Sequence, residues 1–273
     1  MEAPMGKNRN RLHRKTFREQ ARENKGLFIL YLVLRISVVG VMIAQIFNRD
    51  YENVFLCVLT LVLFTVPSFI EHNWHIDIPN TLEVIVLIFI YAAEILGEIR
   101  SFYINISGWD TALHTTTGFL AAAVGFSLID ILNSNEKFKF DLSPFFVAVV
   151  AFCFSMTIGV VWEFFEFGMD FFFGTDMQKD TVISVIHSVT LNPNMTNKAV
   201  TIKNITDTAV NGQSLGINGY LDIGLYDTMK DMFVNFIGAV VFSVIGYFYI
   251  KNKGKGKFAK RFIPTVMPDK KDE

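Results

Sequence analysis

The chain has 273 residues, with 25 basic and 26 acidic side chains and a formal net charge of −1. Hydrophobic residues make up 51% of the sequence, and 28 residues are phenylalanine. These apolar residues are grouped in runs close to the ~20 residues that cross a bilayer, a pattern that excludes an ordinary soluble domain. We expect the first run to be an uncleaved span, because it is span-length and no small-residue cleavage site follows it.

Both ends of the sequence are basic, which predicts an orientation in the membrane. Basic residues crowd the segments 1–25 and 251–273. Since positive charge beside spans favours the cytoplasmic side, we expect a cytoplasmic arm at 1–25, a cytoplasmic tail at 251–273 and no nucleic-acid partner. The two cysteines, Cys57 and Cys153, lie inside apolar runs and predict neither a disulfide nor a metal pair.

Six apolar runs predict an all-α fold, a polytopic transmembrane helix bundle over 26–250 with both termini inside the cell. A polar segment at about 168–226 separates the last two spans and falls outside the cell in this topology. Apolar residues alternate within it at Val200–Ile205, and the segment is compatible with a short hairpin or with a helix near Val182–Val189. The connector 71–80 lies inside the cell in this topology, yet it has no Lys or Arg. It is an exception to the rule that cytoplasmic segments are basic. The six spans are predicted at 27–47, 54–70, 81–96, 112–132, 144–167 and 228–250.

Acidic side chains recur at one end of four of these spans. Within each set the spacings of three, four, seven or eight residues correspond to one helix face. Because successive spans run in opposite directions, all four sets fall at the outer side. The sets are Glu94 and Glu98 in span three, Asp110 and His114 in span four, Glu163, Glu166 and Asp170 in span five, and Asp227, Asp231 and Asn235 in span six.

So many carboxylates close together at a membrane boundary require protons or cations as partners. Carboxylate oxygens with one imidazole nitrogen suit Mg, Mn, Ca or Zn and do not discriminate among them. The sequence therefore favours a divalent metal ion, or a cationic or proton-carrying ligand, at this cluster. Its candidate ligands are Asp110, His114, Glu163, Glu166, Asp227 and Asp231.

If the site is catalytic, we expect His114 to act as a ligand or general base that Asp110 orients. Glu163 and Asp231 would bind metal or accept protons, and Asn235 would donate a hydrogen bond. The sequence has no H-E-x-x-H, G-x-S-x-G or Walker motif, so it leaves open whether the protein is an enzyme. The remaining acids of the outer cluster are Glu94, Glu98 and Asp170.

Other interpretations of the same residues stay open. Asp110 would also complement the positive end of its helix. The acids of spans five and six would reach water as ordinary surface charges. Beside an enzyme or binding protein, two alternatives are a proton- or ion-coupled transporter, and a scaffold whose polar cluster only locks helices together. A transporter usually places such groups nearer the midplane and has paired repeats, which this sequence does not show.

Three motifs carry a family resemblance: Trp109-Asp-Thr-Ala-Leu-His-Thr, Trp162-Glu-Phe-Phe-Glu-Phe-Gly-Met-Asp, and Asp227-Thr-Met-Lys-Asp-Met-Phe-Val-Asn-Phe-Ile-Gly. They resemble the bacterial YjdF-like inner membrane proteins. More distantly, their order is similar to that of VanZ-like proteins, except that Glu166 stands where those have Gln and Gln178 lies further along. The resemblance implies a bacterial plasma membrane, and VanZ-like proteins are linked to glycopeptide tolerance. Our first hypothesis is an enzyme or binding protein whose outward-facing site handles a lipid-linked or cell-envelope substrate.

Overall fold

A computed structural model describes residues 25–74, 76–134 and 142–266. The predicted basic arm (apart from Lys25), His75, most of the connector after span four and the end of the tail lie outside these ranges. The chain divides into two compact units. The first contains the described residues of Met1–Ile106 and Lys257–Glu273, and the second is Ser107–Gly256.

Helices form most of the first unit. Its core consists of apolar side chains from four of them and from one turn between helices; Val38, Leu87 and the turn residue Phe64 are fully buried. Two polar contacts tie the same helices together: Tyr31 donates a hydrogen bond to Glu83 at 2.9 Å, and the hydroxyls of Ser37 and Tyr91 lie 2.7 Å apart. The helices are α1 (Lys25–Asn48), α2 (Tyr51–Leu63), α3 (Val66–Trp74), α4 (Asn80–Ile90), a π-helix (Tyr91–Ile99) and α5 (Phe102–Asn105).

The second predicted span is broken into two helices, and the third changes helix type along its length. The second consists of α2 and α3, separated by a turn at Phe64 and Thr65. Pro67 explains this break, because its ring would clash with the carbonyl of Leu63 in a continuous helix and its fixed φ suits a helix's first turn. In the third, α4 changes at Tyr91 into the π-helix without interruption.

Five helices of the described chain are long and apolar enough to cross a membrane, with lengths of 24 to 30 residues. They confirm a helical membrane protein. The predicted span 81–96 is not one of the five; in the structure it consists of α4 and the π-helix. The five are Lys25–Asn48, Tyr51–Trp74, Trp109–Leu132, Pro144–Phe173 and Leu225–Lys251.

A short sheet joins the connector between α3 and α4 to the C-terminal tail. Strand β1 (Ile76–Asp77) pairs antiparallel with β8 (Thr265–Val266), which follows a 3-10 helix at Ala259–Arg261. Two hydrogen-bonded strands outside the spans lie on the same side of a membrane. The tail therefore brings its basic residues to the side of a connector that has none, and that this side is cytoplasmic stays a prediction.

Three long helices form much of the second unit, with α6 and α8 parallel and α7 antiparallel to both: α6 (Trp109–Ser134), α7 (Pro144–Phe173) and α8 (Leu225–Lys251). Ser143 caps α7 by accepting from the Phe146 N–H at 3.2 Å. The helix then continues six residues beyond the predicted limit at 167 and ends at Gly174, whose φ of 66° is a common helix terminator. Aromatic rings fill the core between α6 and α8, where Phe242 meets Phe119 edge-on at 5.0 Å.

The polar segment between α7 and α8 consists of short antiparallel strand pairs. The described residues of this segment contain no helix, so the helical alternative for 182–189 is wrong and the hairpin alternative is confirmed. The pairs are β2 (Val182–Ile183) with β7 (Tyr220–Leu221), β3 (Ile186–Ser188) with β4 (Val200–Ile202), and β5 (Ala209–Val210) with β6 (Gln213–Ser214).

Candidate metal centre

The site lies at the end of the second unit where α6 and α8 begin and α7 ends. Below it, α6 and α8 cross in close contact through two glycines. A Cβ added to Gly118 would collide with the backbone carbonyl of Asn235, and one added to Gly238 would collide with that of Thr115. Small residues thus set the distance between the two backbones. Because Gly118 lies one turn after His114, this crossing also fixes the polar residues above it.

His114 is at the centre of the polar residues. Its Nε2 lies 3.4 Å from Asp110 Oδ1 on the same helix and 3.9 Å from Asp231 Oδ2 on α8. Asp110 is in the first turn of α6, where its charge also complements the helix dipole. Asp231 is only 1% exposed, and its Oδ1 has no hydrogen-bond partner. A buried carboxylate oxygen without a donor is costly unless a cation or proton satisfies it.

Two glutamates of α7 approach His114 from the other side. Glu163 is 5% exposed and Glu166 is 7% exposed. Glu166 accepts a hydrogen bond from the Trp162 indole at 2.8 Å, which holds its carboxylate in place. Glu163 Oε2 is buried and has no hydrogen-bond partner. It is the second carboxylate oxygen of this site that lacks one.

These side chains form two overlapping groups with the composition of a metal site. Within each group the potential ligand atoms lie within 4.8 Å of one another. His114 belongs to both, so its imidazole links potential ligands from all three helices. Carboxylate oxygens and one imidazole are suited to a hard or borderline divalent cation. The groups are Asp110, His114 and Asp231, and His114, Glu163 and Glu166.

Lys230 is the basic side chain at the rim of this site. Its Nζ lies 3.5 Å from Asp110 Oδ2, 3.5 Å from Asp227 Oδ1 and 3.8 Å from Asp231 Oδ1. The lysine side chain is 48% exposed. One ammonium therefore faces three carboxylates and remains open to solvent.

Asp227 belongs to neither group, although the sequence predicted it as a ligand. One of its oxygens faces Lys230, and the other accepts from the Lys179 N–H at 2.9 Å. Its carboxylate is thus engaged by the polar segment and by the lysine. Asp170 is similar, because its oxygens accept from the N–H groups of Met177 and Gln178 at 2.6 and 2.8 Å. Both residues hold the polar segment against the helix ends.

Asn235 lies one turn below the site, at the contact of all three helices. It is 1% exposed, and its amide nitrogen is 3.5 Å from the Ser155 carbonyl. Ser155 in turn donates to the Gly118 carbonyl at 2.7 Å. A Cβ at Gly159 would lie 2.7 Å from the same amide nitrogen. This environment makes Asn235 part of the helix packing, and its predicted hydrogen bond to a substrate stays a prediction.

Glu94 and Glu98 lie on the π-helix of the first unit. A π-helix has a wider turn than an α-helix and often marks a functional position. The structure therefore groups these two acids with the first unit, and it assigns the metal-site groups to the second.

Gln178 is a neighbour of the site that was not among the predicted site residues. Its side chain donates to the Thr228 hydroxyl at 2.6 Å, and both residues lie beside Glu163. Gln178 comes from the segment after α7, 15 residues beyond Glu163 in the sequence. A polar loop residue has no periodicity, so no local signal identified it.

The fold and this cluster define a multi-pass helical membrane protein. The chain belongs to the family described as predicted membrane protein DUF2238, whose model matches residues 29–252. The matched region contains every residue of both potential ligand groups. No curated protein and no solved structure matches the chain.

Proposed function

We propose that the second unit binds a divalent cation between His114 and the surrounding carboxylates. The observation that supports it is a pair of buried carboxylate oxygens that accept no hydrogen bond, Asp231 Oδ1 and Glu163 Oε2, of which the first has the Lys230 ammonium at 3.8 Å. One lies in each of the two ligand groups that share His114. A cation near the imidazole would supply the positive charge that these oxygens lack, since Lys230 lies beyond hydrogen-bond distance of Asp231 Oδ1.

We place this site on the outer side of a bacterial plasma membrane. The basic ends of the chain support that orientation, since they favour cytoplasmic termini. The family match accords with the YjdF-like resemblance of the three polar motifs, and the more distant VanZ-like outline stays a prediction. An outward cation site at the membrane boundary suits a lipid-linked or cell-envelope substrate. A bound cation would polarise an oxygen of such a substrate, while Asp110 holds the His114 ring in orientation.

The test is the metal content of the purified protein. After incubation with Mg, Mn, Ca or Zn and removal of free ion, we expect the wild type to retain about one ion per chain, because the ligands converge on one imidazole. His114→Ala and Asp231→Ala should lose it. His187→Ala is the matched control, since His187 lies in the polar segment and contacts Thr201.

Two results would contradict the proposal. One is a wild type that binds none of the four ions. The other is retention of the ion by both site variants. Variants that lose their fold rather than the ion would favour the scaffold alternative, and ion-driven flux in liposomes would favour the transporter. Thermal unfolding and size-exclusion profiles of each variant separate these outcomes.

A further inference from the structure

Lys230 lies beside the first ligand group, which consists of Asp110, His114 and Asp231. Its ammonium would therefore repel a cation bound there. Its ammonium is 3.5 Å from Asp110 and 3.8 Å from Asp231. Both carboxylates belong to the group that includes His114. An ion coordinated by their oxygens would be close to a positive charge that now faces the same oxygens.

The contacts of Lys230 with the three carboxylates are long, and its side chain is half-exposed, so the ammonium is free to be displaced. All three distances to carboxylates exceed the 2.7–2.9 Å typical of a tight charge-assisted hydrogen bond. The side chain is half-exposed and carries its charge on a flexible four-carbon stem. The ammonium can therefore turn toward water without breaking a short hydrogen bond.

Asp227 provides a second position for the same ammonium. Its Oδ1 is 3.5 Å from Lys230 Nζ, while its Oδ2 is held by the Lys179 N–H. Since Asp227 belongs to neither ligand group, it remains available when an ion occupies Asp110 and Asp231. The lysine thus has a carboxylate to contact in both states of the site.

We propose that Lys230 is the exchangeable counter-cation of this site. Its ammonium neutralises Asp110 and Asp231 until a divalent ion takes their oxygens and displaces it toward Asp227 and solvent. The inference rests on the proposed function, because it requires a cation site. It also makes Lys230 a specificity residue: a monovalent ion brings no more charge than the ammonium it replaces, whereas a divalent ion does.

The test compares Mn²⁺ affinity by calorimetry for the full chain in nanodiscs. We expect Lys230→Met to bind Mn²⁺ about tenfold more tightly than the wild type, because a like charge beside the ion is removed. Lys230→Arg keeps that charge and should stay within about threefold of the wild type. Sodium should compete with Mn²⁺ more strongly in Lys230→Met. Lys203→Met, in the exposed polar segment, is the control and should be unchanged.

The outcomes distinguish this inference from the function on which it rests. Binding by the wild type with equal or weaker binding by Lys230→Met overturns the exchange and leaves the metal site standing. Absence of binding in both overturns both. Binding by Lys230→Met alone shows that a divalent ion does not displace the lysine in the wild type, and it overturns the exchange. Lys230→Gln repeats the comparison if the methionine variant unfolds.

Discussion

At the residue scale, the geometry of the site depends on two glycines as well as on its charged side chains. Gly118 and Gly238 allow the backbones of α6 and α8 to touch, within one to two turns of the residues that would bind the ion. His114 and Asp231 come from these two helices and face each other at 3.9 Å. Any increase in helix separation would therefore act directly on this distance.

Gly118→Ala should lower both stability and ion affinity. The new methyl group would meet the backbone carbonyl of Asn235, which cannot move without the helix. Overpacking of this kind costs about 1–3 kcal/mol. Gly168→Ala is the matched control, because a Cβ at that position of α7 meets nothing within 4 Å. Thermal unfolding in detergent and Mn²⁺ titration should show losses for Gly118→Ala alone, and equal behaviour of the two variants would contradict the tight crossing.

Some of the site could be predicted at this scale because helix periodicity is local. The four-residue spacing of Asp110 and His114 placed them on one face, and the structure brings them into contact. The packing position of Asn235 could not be predicted, since it depends on Gly159 and Ser155 of another helix. Gln178 was missed for a related reason, because a loop residue reaches its neighbours only through the tertiary fold.

At the scale of elements, the polar segment is fastened to the helix ends by two aspartates. Asp170, at the end of α7, binds the backbone of the residues that follow it. Asp222, just before α8, accepts from the N–H groups of Thr181 and Tyr226 at 3.2 and 3.0 Å. These contacts draw both ends of the segment together, and they also concentrate negative charge around Asp180.

Asp180→Asn should make the polar segment more stable at neutral pH. The pKa of Asp180 is raised, chiefly by partial burial and then by repulsion from Asp176, Asp222 and Asp170. A raised carboxyl pKa means that ionisation disfavours the folded segment, so stability is lost as the pH rises through that pKa. The asparagine removes this penalty. Because the group is largely exposed, the gain should be below about 1 kcal/mol.

Limited proteolysis of the segment as a function of pH measures this effect. Asp180→Asn should slow cleavage at neutral pH, and its advantage should shrink as the pH falls through the raised pKa of the wild-type Asp180 carboxyl, which then takes up a proton. Asp207→Asn is the control, since Asp207 lies in the same segment and is not among the neighbours that repel Asp180. An advantage that persists unchanged in acid would show that charge is not its cause.

The elements themselves were predicted well where the apolar pattern is long. The helices α6, α7 and α8 agree with their predicted spans except at their ends. The π-helix at Tyr91–Ile99 was not predicted, because a change from i+4 to i+5 hydrogen bonding leaves no clear mark on composition. The strand pairs between α7 and α8 depend on partners up to 39 residues apart, as in Val182 with Leu221. Local patterns do not specify such register.

At the scale of the whole molecule, the sheet between β1 and β8 constrains the topology. It puts the connector between α3 and α4 and the C-terminal tail on the same side of the membrane. An even number of membrane crossings must therefore separate the connector from the tail. Helices α6, α7 and α8 provide three crossings, so α4 and the π-helix together must provide a fourth. The pairing therefore supports six crossings, although five helices alone meet the length and hydropathy criteria within the described residues.

Cysteine labelling tests this topology and the side on which the site lies. In a background without Cys57 and Cys153, Asn197→Cys should react with an impermeant maleimide in intact cells, because the polar segment is outside. Lys255→Cys, in the exposed tail, should react only after permeabilisation.

The opposite pattern would place the site on the cytoplasmic side. That result would remove the envelope substrate from the proposal while leaving the cation site intact, since the convergence of His114 with the carboxylates does not depend on orientation. Labelling of both positions in intact cells would instead put the polar segment and the tail on the same side, which contradicts a single crossing by α8 between them.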